Sequence, residues 1–258
     1  MSNTLIIIPS QIRSGDLTFK NFKKYLLDNN NADLALFISD KYTPNEYLNN
    51  AKYKFFLEEY NDHRKGLIKE LELLSLSIPD CLFDYDKKLN NYQISCIIHV
   101  YYKLFILRML KENKLLEKYD WFIINRSDLL HGKYINVKDL KKSCAYIPNG
   151  EFYGGLPDRF SIIPKKYITE WLYIYKPIYF KSIKKLNKGK RKINPEIMVL
   201  KNVKKKNIKY SLIDYSFISV RDKNGSTRNS LGKFNTELNL YIKYLSEYKL
   251  AIKNECLF

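Results

Sequence analysis

The sequence predicts an α/β fold, and three observations carry that expectation. Short apolar runs recur at residues 5–8, 34–38 and 119–124, rich in branched and aromatic side chains, as strands covered on both faces are. Between them lie longer stretches with apolar residues at helical spacing, above all residues 93–116. The third run also passes directly into a cluster of polar groups, Asn125, Arg126 and Asp128. In open α/β sheets ligands bind beyond the carboxyl ends of the strands, so such a cluster is a candidate site.

The elements follow in order. Leu5, Ile6, Ile7 and Ile8 form a first strand, and the turn after it holds Ser10, Gln11, Arg13 and Gly15. Phe19, Phe22 and Leu26 give a helix over 19–27, and residues 34–38 a second strand ending in Ser39 and Asp40. The segment 42–60 is aromatic and charged and reads as partly helical. Leu67, Ile68, Leu71 and Leu74 predict a helix over 66–76 closed by Pro79, followed by a loop over 80–91. The helix over 93–116 has a broad apolar face and is expected to pack under the sheet. After the strand and charged turn of 119–130 come an edge strand near 144–148, a glycine-containing loop over 152–160, a strand at 161–164 and a helix over 165–175. Asn194, Pro195 and Glu196 open another helix, with proline well placed at its start. Residues 208–220 are strand-like and 238–253 have helical periodicity. No repeat or clean linker interrupts the chain, which predicts one domain over 1–258 with a helical C-terminal portion from about 230.

Composition limits the function classes. The 258 residues are 45% hydrophobic, enough for a substantial core. The formal charge of +18 favours polyanions such as nucleoside diphosphates, anionic lipid or nucleic acid. The four cysteines, Cys81, Cys96, Cys144 and Cys256, form no C-x-x-C pair and read as free thiols in a reducing compartment. The N-terminus has no signal-peptide pattern, and no run of about 20 apolar residues is evident, so a cytoplasmic protein is expected. The basic run from Lys181 to Lys192 is either a solvated face or a peripheral contact with the inner face of the cytoplasmic membrane.

Several segments, taken in order, resemble a group of nucleotide-sugar glycosyltransferases found in polysaccharide and lipopolysaccharide gene clusters. The loop Ser10-Gln11-Ile12-Arg13 is similar to the group's "S-G-Q-hydrophobic-R" loop, and Arg126-Ser127-Asp128 to its "R-x-D" turn. Gly154-Gly155-Leu156-Pro157-Asp158-Arg159-Phe160 looks like its "G-G-x-x-D-R-F" box. Asn194-Pro195-Glu196 and Val220-Arg221 are weaker matches. The sequence departs from the pattern at Pro9-Ser10, where the group has Ser-Gly, and at Arg126, where a metal-binding "D-x-D" has its first carboxylate.

The resemblance implies a Rossmann-like GT-A fold, a central, mostly parallel sheet flanked by helices. It implies transfer of a hexose, galactose or galactofuranose being candidates, from a UDP-sugar to a glycan or lipid-linked glycan in surface polysaccharide or O-antigen synthesis. Gln11, Arg13, Arg126, Asp128, Gly154, Gly155, Arg159 and Arg221 then bind the donor, and Asp158 and Glu196 are the catalytic candidates. Asp128 is the candidate ligand for Mg or Mn; in a metal-independent version, cations such as Arg126 neutralise the diphosphate. Each residue also has a plainer reading. Arg126 and Asp128 make an ordinary ion pair, Asp158 caps a turn beside Arg159, Glu196 favours a helix start, and His131 is structural. Two other function classes stay open: a basic protein that binds nucleic acid through its many tyrosines, and an inert glycan-binding relative. No RRM, OB or helix-turn-helix signature is present, so nucleic acid is not the expected partner.

Overall fold

A computed structural model describes residues 3–9, 12, 15–86, 88–150, 152–175, 194–221 and 232–253. Ser10, Gln11 and Arg13, and the run from Lys181 to Lys192, lie outside the described residues.

The expected α/β architecture is present. Strands β1 (Thr4–Pro9), β2 (Asp33–Ser39), β3 (Tyr53–Leu57) and β4 (Trp121–Asn125) form the parallel part of a seven-stranded sheet. With β6 (Ala145–Pro148), β7 (Phe160–Pro164) and β8 (Tyr210–Ile213) its order is β3-β2-β1-β4-β7-β6-β8. β7 runs antiparallel to β4 and β6, and β6 is parallel to β8.

Alternation along each strand builds two cores. Leu5 and Ile7 face one side with Phe37 and Phe122, while Ile6 and Ile8 face the other with Leu36 and Ile123. That is why these strands read as unbroken apolar runs. Helices α1 (Gly15–Phe22) and α2 (Glu46–Asn50) cover the second face through Phe19, Phe22 and Tyr47. The first face is covered by α3 (His63–Leu73), α4 (Asn91–Glu112), α6 (Lys165–Leu172) and α7 (Pro195–Lys205), with the short α5 (Leu115–Lys118) leading into β4.

The long helix α4 starts at a capping box. The Asn90 side chain accepts from the Gln93 N–H at 3.0 Å, and Gln93 Oε1 accepts from the Asn90 N–H at 2.9 Å. Gln93–Glu112 is, contrary to expectation, long and apolar enough to cross a membrane by length and composition; 61% of its apolar window is buried inside the protein. Its Arg108 makes a two-pronged ion pair with the buried Glu70 of α3, at 2.9 and 2.6 Å.

Four expectations are corrected. The 42–60 segment holds a strand, β3, as well as a helix; its Tyr-Lys-Phe-Phe-Leu alternation belongs to the half-covered edge. β6 lies inside the sheet between β7 and β8, not at the edge. Residues 208–220 form two strands, β8 and β9 (Phe217–Arg221), which belong to different sheets. The C-terminal portion is only partly helical: β10 (Lys233–Asn235) and β11 (Leu240–Ile242) precede α8 (Leu245–Lys253). These join β9 and β5 (Leu129–His131) in a second, antiparallel sheet of order β10-β11-β9-β5.

Candidate functional site

Strand order fixes where a ligand can sit. From β1 the chain proceeds outward to β2 and β3, then returns to place β4 on the other side of β1. β1 and β4 therefore flank a topological switch point, where the loops after two parallel strands part and leave a crevice. The polar cluster read from the sequence follows β4 at that point.

The cluster is an ion triad in which Asp128 and Arg221 are buried and Arg126 is partly exposed. Arg126 Nε and Nη2 donate to Asp128 Oδ1 and Oδ2 at 2.9 and 2.5 Å. Arg221 Nη1 also donates to Asp128 Oδ2. Asp128 is 1% exposed. Burial disfavours its charge, but the fields and hydrogen bonds of Arg126 and Arg221 outweigh burial and hold the carboxyl well below the usual carboxylate range.

The backbone around Asp128 is fixed as well. The Val220 N–H donates to the Asp128 carbonyl at 2.9 Å, and the Thr18 hydroxyl donates to the Ser127 carbonyl at 2.6 Å. The turn joins the two sheets, since β4 ends the parallel set and β5 begins the antiparallel one. The ion-pair reading of Arg126 and Asp128 is thus realised, with Arg221 as an added partner.

His131 lies deeper, among Phe160, Tyr215 and Phe217, with Nδ1 2.9 Å from the Tyr215 hydroxyl. Burial pushes its pKa down to about 3. It serves the core.

Asp158 and Glu196 come together through the glycine loop and the start of α7. Asn194 caps that helix, accepting from the Ile197 N–H at 2.8 Å, and donates to the Tyr153 carbonyl at 2.9 Å. The Leu156 N–H donates to the Glu196 carbonyl at 3.0 Å. A Cβ on Gly155 would stand 2.0 Å from the Glu196 carbonyl carbon, so this glycine admits the helix backbone. Gly154 has φ +80°, near Ile197. The close approach at Gly155 is to the α7 backbone.

Glu196 sits in the first turn of α7, as its plainer reading expects. Its pKa is raised to about 7, by burial first and then by the charge of Asp158; Arg159 and Arg126 pull the other way.

Arg159 turns away from Asp158. It is 5% exposed, and its Nη1 donates to Glu247 of α8 and, at 3.0 Å, to Ser219 Oγ. Its guanidinium lies over the rings of Phe217 and Tyr244. The expected Asp158–Arg159 pairing is replaced by this tie between the loop and the second sheet.

Two residues missed by sequence reading, His99 and Lys103, lie near the site, and Asn125 of the polar cluster completes it. His99 of α4 has Nδ1 3.6 Å from Asp158 Oδ2, and the charge of Asp158 acts on the buried Lys103 one turn further along the helix. Asn125, fully buried at the end of β4, donates to the Arg126 carbonyl at 3.0 Å, while its Oδ1 has no hydrogen-bond partner among the described residues. The signal for the first two was legible: a polar pair spaced by four within a long apolar helix. Among the described residues no group of three His, Cys, Asp or Glu side chains gathers to hold a metal. The three described cysteines, Cys81, Cys96 and Cys144, form no disulfide.

No protein-family model matches the chain, and no curated protein matches it.

Proposed function

We propose that the chain is a glycosyltransferase that moves a hexose from a UDP-sugar to a glycan acceptor in surface polysaccharide or O-antigen synthesis. The observation that carries the reading is the convergence at one end of the sheet. The loop after β4, at the β1–β4 switch point, supplies Arg126, and the carboxyl groups of Asp158 and Glu196 lie within its field. A glutamate whose pKa burial and a neighbouring carboxylate raise to about 7 suits acid–base chemistry near neutral pH.

In this reading the switch-point crevice takes the nucleotide diphosphate. Gln11 and Arg13 contribute from the loop after β1. Arg126, oriented by Asp128, supplies positive charge to the leaving group. Arg221 completes the orientation of Asp128 and serves the donor indirectly. Gly154, Gly155 and Arg159 shape and anchor the loop that presents Asp158 to the sugar. Because two arginines already occupy the Asp128 carboxylate, the arrangement favours a cationic clamp; a Mg or Mn ion at Asp128 would displace one of them. The acceptor is a glycan, free or lipid-linked, reached from the cytoplasmic side of the membrane.

A thermal-shift screen tests the reading. UDP is expected to raise the melting temperature, since a ligand that binds only the folded state stabilises it. UDP-hexose is then expected to be consumed in the presence of glycan acceptors. A shift with oligonucleotides and none with UDP would replace the reading with nucleic-acid binding. A UDP shift without turnover of any UDP-hexose would reduce it to a binding protein.

A further inference from the structure

A second concavity opens at the edge of the sheet where β4 ends, apart from the β1–β4 crevice. Its volume is about 380 Å³, within the range of roughly 300–1,000 Å³ typical of small-molecule sites. The strand register gives its place. Asn125 of β4 lies opposite Phe160 of β7, and Tyr146 of β6 lies opposite Ile162. Pro148, where β6 ends and the cavity begins, is therefore level with Asn125. Two strand spacings separate them, about 10 Å. The cavity and the Arg126–Asp128 turn open at the same end of the sheet, on either side of β7.

Its walls are held in place. After β6, the Asn149 N–H donates to the Ile213 carbonyl at 2.9 Å, and the Tyr215 N–H reaches the same carbonyl at 3.0 Å. On α8, the Glu247 carboxylate accepts from the Ser219 N–H at 2.9 Å. Gly150 faces room: a Cβ built there meets nothing within 4 Å.

The lining selects the occupant. Its charged side chains, Arg159 and Glu247, pair with each other. The wall is neutral as a unit, which favours a neutral ligand over a phosphate or a carboxylate. The Tyr215 hydroxyl is engaged with His131 Nδ1 at 2.9 Å, and Phe152 and Phe217 carry no polar side-chain atom, so these residues offer ring surface. At the rim stand the exposed Asn149 and Ser246, an amide and a hydroxyl able to donate and accept. A pyranose matches this lining. Its C–H bonds can lie on the aromatic rings while its hydroxyls reach the rim.

We propose that this cavity binds a sugar unit of the acceptor chain, the one preceding the unit that receives the hexose. The word acceptor rests on the glycosyltransferase reading; the fit to a neutral saccharide does not. The offset across β7 leaves the reacting end of the acceptor at the crevice and its preceding unit in the cavity. Binding so far from the reacting atoms lowers KM without raising kcat.

The test is saturation-transfer NMR on the full chain, with lactose, maltose and cellobiose as neutral disaccharide probes and uridine as a competing flat ring. Gly150→Phe fills the cavity from its open side, and Ser246→Trp fills it from α8. Both positions are exposed, so both variants are expected to keep the wild-type melting temperature. At least one disaccharide is expected to receive saturation from the wild type and to lose it in both variants, while any UDP-induced rise in melting temperature is unchanged. Three results overturn the proposal: no disaccharide binds the wild type, binding survives either filling, or uridine receives saturation that the fillings abolish. Failure of the glycosyltransferase reading looks different. Disaccharide binding that the fillings abolish, with no UDP shift and no UDP-hexose consumed, leaves a saccharide site and removes the acceptor role.

Discussion

Asp128 is held by two arginines, and its removal acts on the fold before it acts on any chemistry. Asp128→Asn leaves Arg126 and Arg221 without their shared counter-charge, and breaking a buried pair from one side costs about 3–5 kcal/mol. The expected outcome is a large fall in the denaturant midpoint with little change in the slope of the transition. A variant as stable as the wild type would mean that the triad is not closed in solution. Activity losses at Asp128 are therefore interpretable only beside a stability measurement.

Glu196 gives a complementary residue-scale prediction. Its pKa is about 7 in the folded chain against an ordinary 4.5. The folded state then holds the proton more tightly than the unfolded state. Stability from this group is complete below about pH 4.5 and declines as pH rises to about 7. Glu196→Gln, which cannot ionise, is expected to gain melting temperature relative to wild type at pH 8 compared with pH 5. Equal differences at the two pH values would place Glu196 in water.

The decisive element is the start of α7, where local sequence and tertiary contact agree. Asn194 at the cap and Pro195 in the first turn begin the helix as their residue types dictate. Asn194→Ala is expected to cost about 1 kcal/mol from the lost cap, read by chemical denaturation. Gly155→Ala is a harsher probe. Its added methyl would collide with the Glu196 backbone, which cannot move aside as a flexible side chain does. The helix start and the Asp158 loop must separate, so the Glu196 carboxyl titration, read by NMR, is expected to move towards the ordinary glutamate range. If Gly155→Ala leaves both stability and that titration unchanged, the loop does not rest on α7 as described.

At the same scale, β1, β2, β4 and α4 were legible because each is long and strongly patterned. β3 was not, because an edge strand is covered on one side only and its apolar residues alternate with exposed ones. β5 was read as part of a turn. Its three residues carry no period of their own, and only pairing with β9 makes them a strand. The hairpin of β10 and β11 was absorbed into the helical reading of the tail for the same reason.

For the whole molecule, acid is the clearest lever. Burial lowers the pKa values of His99 and His131 to about 3 from an ordinary 6.5. The unfolded chain binds protons there that the folded chain refuses, so stability is intact above about pH 6.5 and falls as pH drops towards 3. Asp128, held as an anion, adds to the loss at the acid end. Melting temperature is expected to decline steadily over that window, and His131→Phe, which cannot take a proton, is expected to flatten the decline. A flat profile between pH 6.5 and 4 would contradict burial of the two imidazoles.

The residues alone were enough for the α/β class and for the main strands and helices of the parallel half. Those are local properties: the period of apolar residues, proline and asparagine at a helix start, and a charge cluster after a buried strand. Only the tertiary structure decided which charges pair. Arg221 reaches Asp128, Arg159 chooses Glu247 over its neighbour Asp158, and His99 approaches Asp158 from a distant helix. A buried charge must find its partner wherever packing delivers one, and strand order across two sheets, not proximity along the chain, sets that choice.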